Sequence, residues 1–132
     1  RLETTALTEI VLQHAAVRDA SDLIAWSAEA RKAEIAALAP AVLHAALEGD
    51  EMAGRIRTGA IDDLVDLGVA ACARAGLISP DVALTGGLIG PGGPLRDAVA
   101  TALSSRLGSA RILQRPLDAA LGAARLAHRS RT

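Results

Sequence analysis

The stretch DVALTGGLIGPGGPLRDAV, residues 81–99, sets five glycines and two prolines between a short apolar run and the next helical pattern. The run VALT reads as a strand over 82–85 that stops at Gly86–Gly87. Pro94 is placed to open a helix over 94–107, with Gly108 as its terminator. RILQ reads as a second strand over 111–114. Two short strands separated by a helix pair in parallel through a right-handed crossover. The junction itself has two readings: a flexible surface loop, or a place where main chain must come very close to a ligand. The P-loop pattern fails, because Gly93 follows Gly92 and no lysine is near. The dinucleotide fingerprint G-x-G-x-x-G fails at Leu95. Gly86 and Gly87 nevertheless fall at the carboxyl end of a parallel strand, where open α/β sheets place their ligands. Residues without Cβ let main-chain N–H groups meet a phosphate or ribose directly. The helix N-terminus adds a positive end nearby. Thr85 offers a hydroxyl, and Leu88 with Ile89 an apolar surface suited to a flat base.

Around this junction the chain is helical. TTALTEIVLQHA places Leu7, Ile10, Val11 and His14 at helical spacing over 4–15, capped by Thr4 or Thr5. A helical region follows over 22–48: a short helix starting near Ser21–Asp22 and carrying Leu23, Ile24 and Trp26, then a stretch from about Ala28 to Glu48 with Ile35, Leu38, Val42 and Leu43 in an apolar stripe. Pro40 is expected to kink or break it. Gly49 ends that pattern and Asp50 caps the next helix, 51–75, closed by Gly76, with Ile56, Ala60, Leu64, Leu67 and Ala71 expected inward. Asp118 opens a final helix over 118–128 behind Pro116. The division expected is a helical part, 1–76, and a β-α-β-α part, 77–132. VALT lacks in-out alternation, so it reads as a strand for the middle of a sheet whose further partners lie outside these residues.

The totals exclude several classes. Hydrophobic residues make up 51% of the 132, yet there is no Phe or Tyr and one Trp, so the core is aliphatic. The charge of 14 Lys+Arg against 15 Asp+Glu argues against nucleic-acid binding, and the missing aromatics remove a stacking platform. A single cysteine, Cys72, excludes a disulfide framework within the chain. No apolar run reaches the length of a membrane span and no signal-peptide pattern leads the chain, so a cytoplasmic protein is expected. The first residue is Arg1 rather than Met, which reads as a processed, trimmed or partial chain.

Other residues invite functional readings. His14, His44 and His128 lie on separate helices without metal-site spacing. Cys72 reads as a small core residue and Trp26 as a core plug, with a role covering a sugar or base as the other option. Asp62, Asp63 and Asp66 read as a solvated helix face. Asp50 reads as a cap, with an orientation toward a nucleotide as the other option. Gly122 is expected to let the last helix lie close to the sheet or the ligand.

VALTGGLI with GPLRDAVATAL resembles the adenosine-binding segment of the actin-like ATPase superfamily, which includes sugar kinases, actin and heat-shock chaperones. TALTEIVLQH, RKAEIAALAPAVLHAALEGDEMAGRI and RPLDAALGAARLA extend the resemblance nearly end to end. Together they are similar to the C-terminal half of BadF/BadG/BcrA/BcrD-type ATPases, the family that also holds N-acetylglucosamine and glucosamine kinases. The resemblance implies a ribonuclease H-like α/β fold lacking its first strands. It implies ATP with Mg2+ as cofactor, and Thr85, Gly86, Gly87 and Leu88 against the adenosine. It implies an amino sugar as acceptor and no catalytic or metal-ligating residue in this chain. It also implies self-association through an exposed sheet edge. The family's other branch, activators of acyl-CoA dehydratases and reductases, holds an iron–sulfur cluster through several thiolates. The lone Cys72 favours the sugar-kinase branch. A third reading, a non-catalytic helical interaction module with the glycine loop as linker, predicts indifference to nucleotides.

Overall fold

The computed structural model describes residues 5–115 and 117–129. Their elements are α1 (Ala6–Ala15), α2 (Ala20–Glu29), α3 (Lys32–Ala36), α4 (Ala39–Leu47) and α5 (Glu51–Arg74), followed by β1 (Asp81–Ala83), α6 (Arg96–Leu107), β2 (Arg111–Leu113) and α7 (Ala119–Arg129). They fall into two compact units that divide within α5, between Ala60 and Ile61.

In the first unit, α1 packs against α4 and α2. Leu7, Ala45 and Ala53 form the buried centre, with Ile10, Val11, Val42 and Ala46 against it. Three of the helix stops share one device. The N–H groups of Gly49 and Asp50 turn back to the Ala46 and Ala45 carbonyls, with Gly49 at φ +94°. Ala16 and Val17 do the same toward Gln13 and Leu12, but here the left-handed slot (φ 54°) holds an alanine. In the second unit Gly76 (φ +65°) and Leu77 close α5 in the same way on Ala73 and Cys72. These are Schellman closures, whose left-handed residue is ordinarily glycine.

The second unit holds a parallel pair of strands in the register Asp81–Arg111, Val82–Ile112, Ala83–Leu113. Arg111 donates from Nε and Nη2 to the two carboxylate oxygens of Asp81, at 2.7 and 2.6 Å, directly across the ladder. Val65, Cys72, Leu84, Leu95, Val99 and Leu103 are buried. Gly68 lets α5 come close to α6: a Cβ there would stand 2.8 Å from Leu103 Cδ2.

The elements differ from the sequence expectations in definite places. The first helix starts at Ala6 behind Thr5, and Thr4 lies outside the described residues. The helical region expected over 22–48, a short helix followed by a stretch broken near Pro40, is three helices. Asp19 starts α2 by accepting from the Ser21 and Asp22 N–H groups at 2.8 and 2.9 Å. Ala30 and Arg31 are extended, and Glu34 accepts from the Arg31 N–H at 2.7 Å to begin α3. Pro40 sits in the first turn of α4, where it removes no intrahelical bond, so the break precedes it. The strands are 81–83 and 111–113, and α6 begins at Arg96 because Pro94 and Leu95 still belong to the preceding turn. The last helix is Ala119–Arg129, with Asp118 Oδ1 accepting from the Leu121 N–H at 2.9 Å. The expected role of Pro116 falls outside the described residues. In α5 the buried positions are Ala53, Val65 and Cys72, whereas Leu67 is 68% and Ile56 47% exposed. Two of those three buried positions are small residues, Ala53 and Cys72. Nothing described stands within 4 Å of a Cβ built at Gly122, so no close approach explains that glycine.

Candidate functional site

The site expected from the sequence lies wholly in the second unit, at the end of β1. Leu84 is buried and anchors the exit of the strand, and Thr85, Gly86, Gly87 and Leu88 then follow as an exposed ledge. Gly86 has φ +96°, a conformation that L side chains rarely adopt. Gly87 has no such constraint, and a Cβ built at either residue meets nothing within 4 Å. The chain then closes on itself. The Gly90 N–H donates to the Gly86 carbonyl at 2.8 Å, Gly93 to Gly90 at 2.8 Å, and Leu95 to Leu88 at 2.9 Å. Among the described residues the N–H groups of Gly86, Gly87 and Leu88 donate to nothing, and the Thr85 hydroxyl is uncommitted. Three consecutive exposed residues therefore hold uncommitted main-chain donors, and the first two, Gly86 and Gly87, carry no side-chain carbon.

The glycines divide by task. A Cβ at Gly93 would stand 2.5 Å from the Leu88 carbonyl oxygen, and one at Gly90 would collide with that of Gly86. Those two glycines are required for the loop to pack against itself. Gly86 and Gly87 are free of such contacts, and their bareness is turned outward. Leu88 is 41% exposed, and Ile89 turns inward.

Arg96 is the participant that the sequence reading missed. Its guanidinium is buried and donates from Nη1 to the carbonyls of Ile89 (3.1 Å) and Leu84 (3.5 Å), and from Nη2 to that of Leu113 (2.9 Å). The sequence signal was available: a cation in the first turn of a helix, where the macrodipole disfavours it.

A hollow of about 360 Å³ lies in the same unit, lined by Leu64, Leu67, Gly68, Cys72, Ile89 and Leu103 among others. It is almost wholly apolar, and Thr85, Gly86 and Gly87 do not line it. It lacks the convergent polar groups of a ligand site, and the ledge is the better candidate.

The remaining residues take structural places. Asp50, in the first unit, accepts from the Ala53 N–H at Oδ1 (2.9 Å) and from the Leu7 N–H at Oδ2 (3.0 Å). One carboxylate thus caps both α5 and α1, and those two bonds hold it below the usual Asp range. Arg111 lowers Asp81 likewise. Asp62, Asp63 and Asp66 are exposed, and Asp66 accepts from Arg106 Nη2 at 3.1 Å. Cys72 is buried, and Trp26 is half-buried on α2. Among the described residues no three His, Cys, Asp or Glu gather to hold a metal ion, and no helix is long and apolar enough to cross a membrane.

A model described as the BadF/BadG/BcrA/BcrD ATPase family matches residues 3–127. No curated protein and no solved structure matches the chain.

Proposed function

The chain belongs to the BadF/BadG/BcrA/BcrD ATPase family, and on that premise we propose that it is the adenosine-binding part of an ATP-dependent amino-sugar kinase. The part is the C-terminal lobe of an actin-like ATPase fold, and the reaction moves the γ-phosphoryl of ATP to a hydroxyl of N-acetylglucosamine or glucosamine. The observation that carries the nucleotide half is the ledge: three free N–H donors at Gly86, Gly87 and Leu88, the first two with no Cβ to hold a ligand off. The residues fit an adenosine. Gly86 and Gly87 let ribose or phosphate oxygens reach main-chain N–H groups, the Thr85 hydroxyl adds a donor or acceptor, and Leu88 covers a base face.

Bound ATP supplies the transferable phosphoryl group and, with Mg2+, the neutralisation of its developing charge. In the transfer the sugar hydroxyl oxygen bonds to the γ-phosphorus, the bond from that phosphorus to the β-phosphate oxygen breaks, and the hydroxyl proton passes to a base. The chain's own residues bind and orient the adenosine end only. The sugar-kinase branch is favoured by the single Cys72, which is buried and stands alone among thiols in these residues. The test is ADP release by the full-length protein offered ATP, Mg2+ and a panel of hexoses and hexosamines. Sugar-dependent release with an amino sugar is expected. No sugar-dependent release from any of them overturns the kinase reading, and an iron–sulfur absorption band in anaerobically purified protein would replace it with the activator.

A further inference from the structure

Arg96 breaks two local rules at once. It is the first residue of α6, where the helix dipole disfavours a cation, and it is only 8% exposed, where a charge ordinarily demands an opposite one. Among the described residues no carboxylate pairs with it. Its fork is spent instead on three carbonyls: Leu84 just past β1, Ile89 in the loop and Leu113 at the end of β2. One rigid planar group therefore sets both strand ends and the glycine loop in a single arrangement, which the compact ammonium of a lysine cannot reproduce. Residues that break local rules concentrate at functional positions.

We infer that Arg96 is the positioning residue of the nucleotide ledge. By holding the Leu84 and Ile89 carbonyls on either side of the ledge, it aims the free N–H groups of Gly86, Gly87 and Leu88 at the ligand. Affinity for adenine nucleotides then depends on a side chain buried behind the surface that binds them. The inference rests on the adenosine-site reading above, and it adds a residue that reading does not contain.

The experiment is calorimetric titration of the full-length protein with ADP, below the unfolding temperature of each variant. Arg96→Met and Arg96→Lys are expected to weaken ADP at least about tenfold while keeping a cooperative unfolding transition. Methylguanidinium, and not methylammonium, is expected to restore ADP binding to Arg96→Gly. A residue that merely braced the fold would lower the unfolding temperature and leave the ADP affinity of the folded protein unchanged, and that result overturns the inference. Should Arg96→Gly fail to fold, Arg96→Lys decides: wild-type ADP affinity there is fatal. Wild-type ADP affinity in Gly87→Val sinks the adenosine reading itself, and this inference with it. Loss in Gly87→Val beside full affinity in Arg96→Lys sinks the Arg96 inference alone.

Discussion

Gly87 and Gly90 sit three residues apart and are glycine for opposite reasons. At Gly87 the backbone is ordinary and the space beyond the missing Cβ is empty, so Gly87→Val is expected to fold. Its isopropyl group would occupy the ligand's space, and ADP affinity of the full-length protein should fall at least about tenfold, measured by calorimetry. At Gly90 the space is taken by the Gly86 carbonyl. Gly90→Ala is expected to cost about 1–3 kcal/mol in chemical denaturation as the loop opens. Unchanged ADP affinity in the first variant, or unchanged stability in the second, contradicts the division. That division was not legible in the sequence, where five glycines in the eight residues 86–93 look alike. It depends on which glycine faces its own loop and which faces solvent, and only the fold decides that. The first-turn position of Arg96 was legible in the sequence, but its burial on the carbonyls of Leu84, Ile89 and Leu113 was not, because the fold alone brings those three together.

Among the elements, the helix ends hold the testable physics. Ala16 stands in a left-handed position that Gly49 and Gly76 fill elsewhere in the chain, and it is exposed. Ala16→Gly is expected to raise stability by about 0.5–1 kcal/mol, because relief of the Cβ penalty outweighs the added freedom of the unfolded chain. Denaturant midpoints check it. Asp50 caps two helices through one carboxylate whose pKa is held down by its bonds to Ala53 and Leu7. A carboxyl depressed in the folded state contributes stability that is fully present above its unfolded value, near 3.9, and is lost as pH falls through the folded one. Stability should therefore decline below about pH 4, and Asp50→Ala should flatten that decline while lowering the unfolding temperature near neutrality by roughly 5 °C. A parallel pH profile in the variant contradicts the double cap. Asp50 as a cap, Gly49 and Gly76 as stops and the parallel strand pair could all be read from the sequence, since each is written in neighbouring residues. A short helix ahead of a stretch broken near Pro40 was also legible, but the start of α3 at Lys32 was not, because Glu34 begins it with a side-chain bond that periodicity does not register. Nor was the second bond of Asp50, made to a residue 43 positions away.

At the scale of the whole molecule, much apolar surface is left open: Ile24 is 73%, Leu47 81%, Leu67 68% and Ile78 89% exposed. Large apolar side chains left exposed in either unit offer contact surface, and β1 pairs with a single strand among the described residues. We propose that the 132 residues alone self-associate through these exposed side chains and the open strand edge. Light scattering is expected to return a mass well above the 13.4 kDa of one chain, and a clean monomer at high concentration contradicts the proposal. What gives the molecule its function in this account is narrower: the bare ledge at the end of β1. Its most direct test is a crystal structure of the full-length protein with ADP bound. The expected result is an adenosine lying in van der Waals contact with the main chain of Gly86 and Gly87, and a nucleotide seated away from that pair would contradict it.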